Sequence, residues 1–209
     1  MTRVILASAS PRRRDLLATL IPAFDVLPAE IEEPLGGDPA ENARQLAAAK
    51  AAALSRLHPR AIVIAADTIV HDGLVSYGKP KDAADAAAML RALSGRSHNV
   101  VTGVAVMTGV SCHIEHCQTT VRMAALSDTE IEAYVASGRP LDKAGAYAIQ
   151  DDDAALAASW DGCYCNVVGL PLWTVNRLLT PLGLAPSEPA ATPHCAACPG
   201  RPARERPQP

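Results

Sequence analysis

The sequence predicts a mixed α/β protein, a central sheet flanked by helices, and three observations carry that reading. Strand-like and helix-like segments mix along the whole chain. The run "AIVIAADTIV" (61–70) is apolar with almost no alternation, as in a strand covered on both faces. The segments "VVTGVAVM" (100–107) and "CQTTVRMA" (117–124) read as an antiparallel pair, so the sheet cannot be purely parallel.

Taken in order, "RVILASA" is a buried strand, and Ser10-Pro11 is a helix start, a hydroxyl cap followed by proline at the first helical position. Leu16, Leu17 and Leu20 give that helix an apolar stripe. "FDVLPAEI" (24–31) reads as a second strand. The alanine-rich stretch 38–58 is strongly helical. The central strand follows at 61–70, then a helix over 82–93 ended by Gly95. Ser127 and Glu130 have capping-box spacing, and Gly138 closes that helix. "QDDDAA" is a polar turn, and a last helix spans 171–180.

The formal charge of -3 gives no basic footprint, so a nucleic-acid duplex is not an expected partner. No apolar run reaches membrane-spanning length and no secretory leader is visible, so a soluble cytoplasmic protein is expected. Six scattered cysteines in such a chain read as reduced thiols rather than a disulfide framework. Residues 186–209 hold seven of the seventeen prolines and almost no large apolar side chain. They read as a disordered tail behind a folded domain of residues 1–185. "HCAAC" (194–198) would need a further ligand to hold zinc, and its place in that tail argues against a metal site. "HIEHC" (113–117) reads as a solvated strand face.

Several charges stand where they are costly. Arg12, Arg13 and Arg14 occupy the first turn of the first helix, where the helix dipole disfavours cations. At about 100° per residue, Arg13 falls near the middle of the leucine stripe, Arg12 at its edge and Arg14 well away from it. An inward arginine needs a counter-charge, either a structural carboxylate or a bound anion. With two of them beside Ser8 and Ser10 at a helix N-terminus, phosphate fits best. Lys50 lies in the middle of the apolar face formed by Ala43, Leu46, Leu54 and Leu57, so it either snorkels or meets a charged partner. Asp67 ends the most apolar stretch of the central strand. It is either a capping residue or a carboxylate at the strand ends where α/β proteins bind ligands. Glu30, Glu32 and Glu33 follow another strand, and one of them could join Asp67. Cations that hold phosphates, with carboxylates that bind a divalent metal or activate water, form a recurring set. No P-loop, nucleophile elbow or H-E-x-x-H motif is present.

With these residues in view, the chain resembles the Maf family of nucleoside triphosphate pyrophosphatases. "SASPRRRDLL", "AEIEE", "AADTIV", "YGKP", "SHNVVTG", "KAGAYAIQ" and "NVVGLPL" occur in that family's order and spacing, over residues 3 to about 183. The resemblance implies a two-lobed mixed α/β fold with a cleft, similar to that of the inosine triphosphatases. It implies cleavage of a nucleoside triphosphate between its α and β phosphates, with Mg2+ or Mn2+ as cofactor, in nucleotide-pool housekeeping and cell-division arrest. By position, Ser8, Arg12, Arg13, Lys50 and Lys79 resemble phosphate contacts. Glu33 and Asp67 resemble the acidic pair at the metal and the attacking water, with Asp67 the proton acceptor, so the resemblance implies Asp67, Glu33 and Lys50 as the catalytic residues. Arg12, Thr68 and Gln150 resemble the positions that separate subgroups, and here the pattern is that of the dTTP and UTP enzymes. One departure stands out: Gln150 is followed by Asp151, Asp152 and Asp153 where the family continues with glycine. The readings kept beside this one are a non-catalytic nucleotide-binding regulator of septum formation and a pyrophosphatase for damaged purine triphosphates. A homodimer is left open.

Overall fold

The computed structural model describes residues 2–29, 31, 37–151 and 153–202. Its strands are β1 (Val4–Leu6), β2 (Asp25–Val26), β3 (Ile62–His71), β4 (Ser76–Tyr77), β5 (Ser97–Thr108), β6 (Ser111–Met123) and β7 (Ala157–Asp161). Its α-helices are α1 (Pro11–Ala18), α2 (Pro39–Leu57), α3 (Ala83–Leu93), α4 (Asp128–Ala136), α5 (Tyr164–Val168) and α6 (Leu172–Leu179). The strands form one seven-stranded sheet in the order β2-β1-β3-β5-β6-β7, with β4 also paired to β3. β1 runs parallel to β2 and β3, and the remaining pairings are antiparallel, which makes the sheet mixed.

β3 organises the molecule. Its first half reads as apolar on both faces because both are covered. Ile62, Ile64 and Ala66 pack with Leu17 of α1, Leu20 just after it, and Leu172, Val175 and Leu179 of α6. Val63 and Ala65 pack with Ala47, Ala51 and Leu54 of α2 on the opposite face. In the far half of the sheet, Val100, Val121 and Met123 pack with Leu90 and Leu93 of α3 and Ile131 and Tyr134 of α4. One edge of β3 is paired to β5 from Ile62 to His71. On the other edge, β1 pairs only as far as Ile64 and β4 begins only at Val70. A gap in the sheet is left between them, and Asp67 and Thr68 stand in it. The cleft between the two halves opens there.

α2 approaches β5 so closely that only glycine fits beneath it. A Cβ on Gly103 would lie 2.2 Å from the Ala43 carbonyl oxygen. The helix starts follow their capping chemistry. The Ser10, Asp38 and Ser127 side chains accept from the amides of Arg13, Glu41 and Glu130, and α4 has the full capping box.

Three expectations change. The strand read over 24–31 is reduced to Asp25–Val26. Leu57 ends α2 beyond the sheet and is exposed rather than part of its apolar face. The third is the tail read as disordered over 186–209. Within it, residues 186–202 pack on the core, and residues 203–209 lie outside the described residues. The Ser187 amide donates to the Leu20 carbonyl at 2.8 Å, and Trp173 Nε1 donates to the Cys195 carbonyl at 3.0 Å. Cys195 and Cys198 are buried. The segment has almost no large apolar side chains and packs instead through small thiols, which behave as compact hydrophobes.

Candidate active site

α1 begins where β1 ends, so its first turn points over the gap in the sheet. Ser10 caps the helix, and Ser8 Oγ accepts from the Ser10 amide at 3.2 Å. Arg13 turns inward, as its place on the leucine stripe predicts. Its Nε donates to the Gly169 carbonyl at 2.8 Å, Nη2 to Thr68 Oγ1 at 2.9 Å and Nη1 to Ser8 Oγ at 3.4 Å. Arg14 points outward and pairs with Asp15 at 2.9 Å.

The seat of Arg13 is a hydrogen-bonded network. Thr68 Oγ1 meets Thr102 Oγ1 at 2.9 Å, and Thr102 donates to the Asn166 carbonyl at 3.0 Å. The Asn166 side-chain amide donates to the Val100 carbonyl and to Thr119 Oγ1, each at 2.9 Å. Gly169 ends α5 with φ of 117°, a left-handed conformation that favours glycine. A Cβ there would also sit 3.3 Å from Arg13 Nε. The "NVVG" sequence therefore supplies the platform on which Arg13 is fixed.

Lys50 does not snorkel. It reaches across from α2 and forms an ion pair with Asp67, with side chains only 14% and 11% exposed. Arg12 donates from Nη1 to Asp142 Oδ2 at 2.7 Å, and Lys143 Nζ holds the other oxygen of Asp142, also at 2.7 Å. Burial works to raise the Asp142 carboxyl pKa. The hydrogen bonds and charges of Lys143 and Arg12 outweigh it and hold the carboxyl below its usual range.

These groups line one cleft of about 590 Å³. Ser8, Arg12, Arg13, Lys50, Asp67, Thr68, Lys79 and Gln150 are all in its wall. Glu33 lies outside the described residues, as do Glu30 and Glu32. The structure adds Asp142, Lys143 and Tyr147 to the wall. Lys143 and Tyr147 belong to "KAGAYAIQ", seven and three residues before Gln150, and that shared motif is their signal in the sequence. Two of the acids after Gln150, Asp151 and Asp153, are held by partners outside the cleft wall. Asp151 accepts from Tyr134 Oη at 2.6 Å, and Asp153 pairs with Arg139 at 2.7 Å. Asp152 lies outside the described residues.

Among the described residues the wall carries five cations, Arg12, Arg13, Lys50, Lys79 and Lys143, against the carboxylates Asp67 and Asp142. That excess suits a compact polyanion. No group of three His, Cys, Asp or Glu that could hold a metal occurs among the described residues. A magnesium ion does not require one. It is commonly held by one or two carboxylates together with substrate phosphates and water. Asp67, at the mouth of the sheet, fits that donor set.

The family model described as "Maf-like protein" matches residues 3–182. The chain belongs to the Maf family. A curated Maf relative from Thermomicrobium roseum, named dTTP/UTP pyrophosphatase, is 48% identical over 206 residues, covering 96% of this chain and 94% of the relative. Relatives with the same name from Symbiobacterium thermophilum and Myxococcus xanthus are 50% and 49% identical, each covering 88% of this chain and 95% and 94% of their own length. Among the described residues, "SASPRRRDLL", "AADTIV", "YGKP", "KAGAYAIQ" and "NVVGLPL" contribute side chains or backbone to the cleft wall or to the network beneath it.

Proposed function

We propose that this protein hydrolyses nucleoside triphosphates, dTTP and UTP foremost, to the monophosphate and pyrophosphate. The observation that carries the reading is the position of Asp67. It stands in the gap of the sheet, paired to Lys50, in a cleft whose wall also carries Arg12, Arg13, Lys79 and Lys143. A carboxylate among so many cations has the composition needed to receive a triphosphate and take a proton from water beside it.

In this proposal Arg13, locked at three points, and Ser8 bind phosphate oxygens at the α1 N-terminus. Arg12 and Lys143 share Asp142 and exchange part of that contact for the incoming phosphates. Lys50 stays against Asp67 and turns part of its charge to the substrate. Asp67 accepts the proton of the water that attacks the anhydride. Gln150 and Tyr147 face the base. Asp67, with Glu33 by its resemblance to the family's acidic pair, would hold a Mg2+ or Mn2+ ion. When bound, that ion supplies charge neutralisation and a more acidic water. The names of the relatives support the choice of dTTP and UTP. A cytoplasmic location is part of this proposal, resting on the proposed substrates; separately, among the described residues no helix is long and apolar enough to cross a membrane.

A panel of triphosphates with Mg2+ or Mn2+, scored for pyrophosphate against phosphate, tests the reading. Pyrophosphate release greatest with dTTP and UTP supports it. Tight binding with no product would assign a regulator. Selective release from damaged purine nucleotides would assign the other enzyme class.

A further inference from the structure

The C-terminal segment meets the core at a cluster of thiols that the cleft does not use. Cys163 and Cys165 flank the start of α5, and Cys195 and Cys198 lie on the turn that packs against it. All four are buried. Cys165 and Cys195 touch, with their sulfurs 3.4 Å apart. Cys163, by contrast, interacts with two thiols, those of Cys117 and Cys198. The backbone on the tail side is held in place. Trp173 binds the Cys195 carbonyl, His194 packs on the Tyr164 ring at 4.2 Å, and Arg201 lies over Trp173 at 5.8 Å.

We propose that Cys165 and Cys195 are a disulfide-forming pair that fastens residues 186–202 to the core when a small disulfide oxidant such as oxidised glutathione is in excess. The thiols are 30 residues apart in sequence and already in contact, so closing the bond needs a shift of little more than an ångström in sulfur position. Among the described residues, Cys165 and Cys195 are the two thiols whose sulfurs meet within hydrogen-bonding distance. Cys195 lies on the terminal segment, so local opening exposes it first and makes it the attacking sulfur.

The chemistry balances. Local opening of the short terminal segment exposes Cys195. Its thiolate attacks one sulfur of the oxidised glutathione, and the first glutathione leaves as thiolate. Cys165 then loses its proton and attacks the Cys195 sulfur, expelling the second glutathione. Two protein thiols lose two electrons, the external disulfide gains them, and the two thiol protons end on the released glutathiones or in water. A reducing thiol pool reverses both steps. Cys165 lies on the helix that ends at Gly169, whose carbonyl holds Arg13, so the tether ties the tail to the platform of the cleft.

The test treats the full chain with oxidised glutathione, alkylates it under denaturing conditions and maps the peptides by mass. Two of six thiols should be lost in a Cys165–Cys195 link, restored by dithiothreitol. Cys195→Ser should abolish the link and Cys198→Ser should keep it. The link should raise Tm by about 5 °C or more, because it closes a long loop in the unfolded chain. Six alkylated thiols after oxidation would overturn the proposal, as would a dominant link through Cys163. One zinc per chain by elemental analysis, shielding all four thiols until chelated, would overturn it in favour of a metal site.

Discussion

Arg13 and Arg14 are neighbours in sequence and opposites in structure, which makes their alanine variants a matched pair. Arg13 gives up two short hydrogen bonds, to Gly169 and Thr68, and a longer one to Ser8. Hydrogen bonds from charged groups contribute about 1.5–3 kcal/mol each. Counting only the two short ones, and allowing for water entering the space, Arg13→Ala should cost about 3 kcal/mol. At about 2–4 °C per kcal/mol, Tm should fall by roughly 6–12 °C. Removing a cation aimed at the phosphates should also lower kcat/KM by about 10²–10³-fold. Arg14 pairs with adjacent Asp15 at an exposed site, with side chains 56% and 67% exposed, so its loss should stay within about 0.5 kcal/mol. Arg13→Lys keeps the charge but not the planar fork, so it should fall between the two. Pyrophosphate release and thermal unfolding of all three variants are the assays. Equal losses for Arg13→Ala and Arg14→Ala would refute the reasoning. A lower Tm with unchanged kcat/KM would confine Arg13 to holding α1 against α5.

Other outcomes follow from the same geometry. Gln150→Ala should reduce turnover of dTTP and UTP more than that of a poor purine substrate, since a side-chain amide can pair with the edge of a pyrimidine; a uniform drop across bases would contradict this. Gly103→Ala forces a methyl group against the α2 backbone and should cost about 3 kcal/mol in denaturant unfolding, whereas a cost below about 1 kcal/mol would show that α2 moves freely. Burial, then the charge of His71, pushes His98 down to about 4, so it is neutral in the fold above that pH. The unfolded chain binds this proton from about pH 6.5. Stability should therefore be full above pH 6.5 and fall by about 3 kcal/mol as pH drops towards 4, a slope that His98→Phe should flatten. An unchanged slope in that variant would contradict the assignment.

Much of the site was legible because its residues break local rules. Arginines on a helix N-terminus, a lysine in an apolar face and an aspartate ending an apolar run each signalled a partner, and the structure joins Lys50 to Asp67 and Arg13 to Thr68. What was hidden depends on long-range contact. Asn166, Thr102 and Gly169 are ordinary polar or turn residues in sequence, and only the fold brings them beneath Arg13. β7 was missed because "AASWD" is an edge strand with little buried surface and no alternating pattern. β4 is two residues long and defined only by its pairing to β3. The packing of residues 186–202 is not legible in the sequence because buried thiols and scattered contacts such as Trp173 to the Cys195 carbonyl leave no periodic signal.

The most direct test of the account is Asp67→Asn, measured twice: kcat for dTTP or UTP, and affinity for a non-hydrolysable α,β-methylene triphosphate. Asparagine has nearly the same size but cannot take a proton. The account predicts a folded protein whose kcat falls by about 10²–10⁴-fold. It also predicts that the analogue still binds through Arg12, Arg13, Lys50 and Lys79, as tightly as before or tighter, because a negative charge beside the phosphates is gone. A near-normal kcat in a correctly folded Asp67→Asn protein would contradict the account and remove this carboxylate from the chemistry.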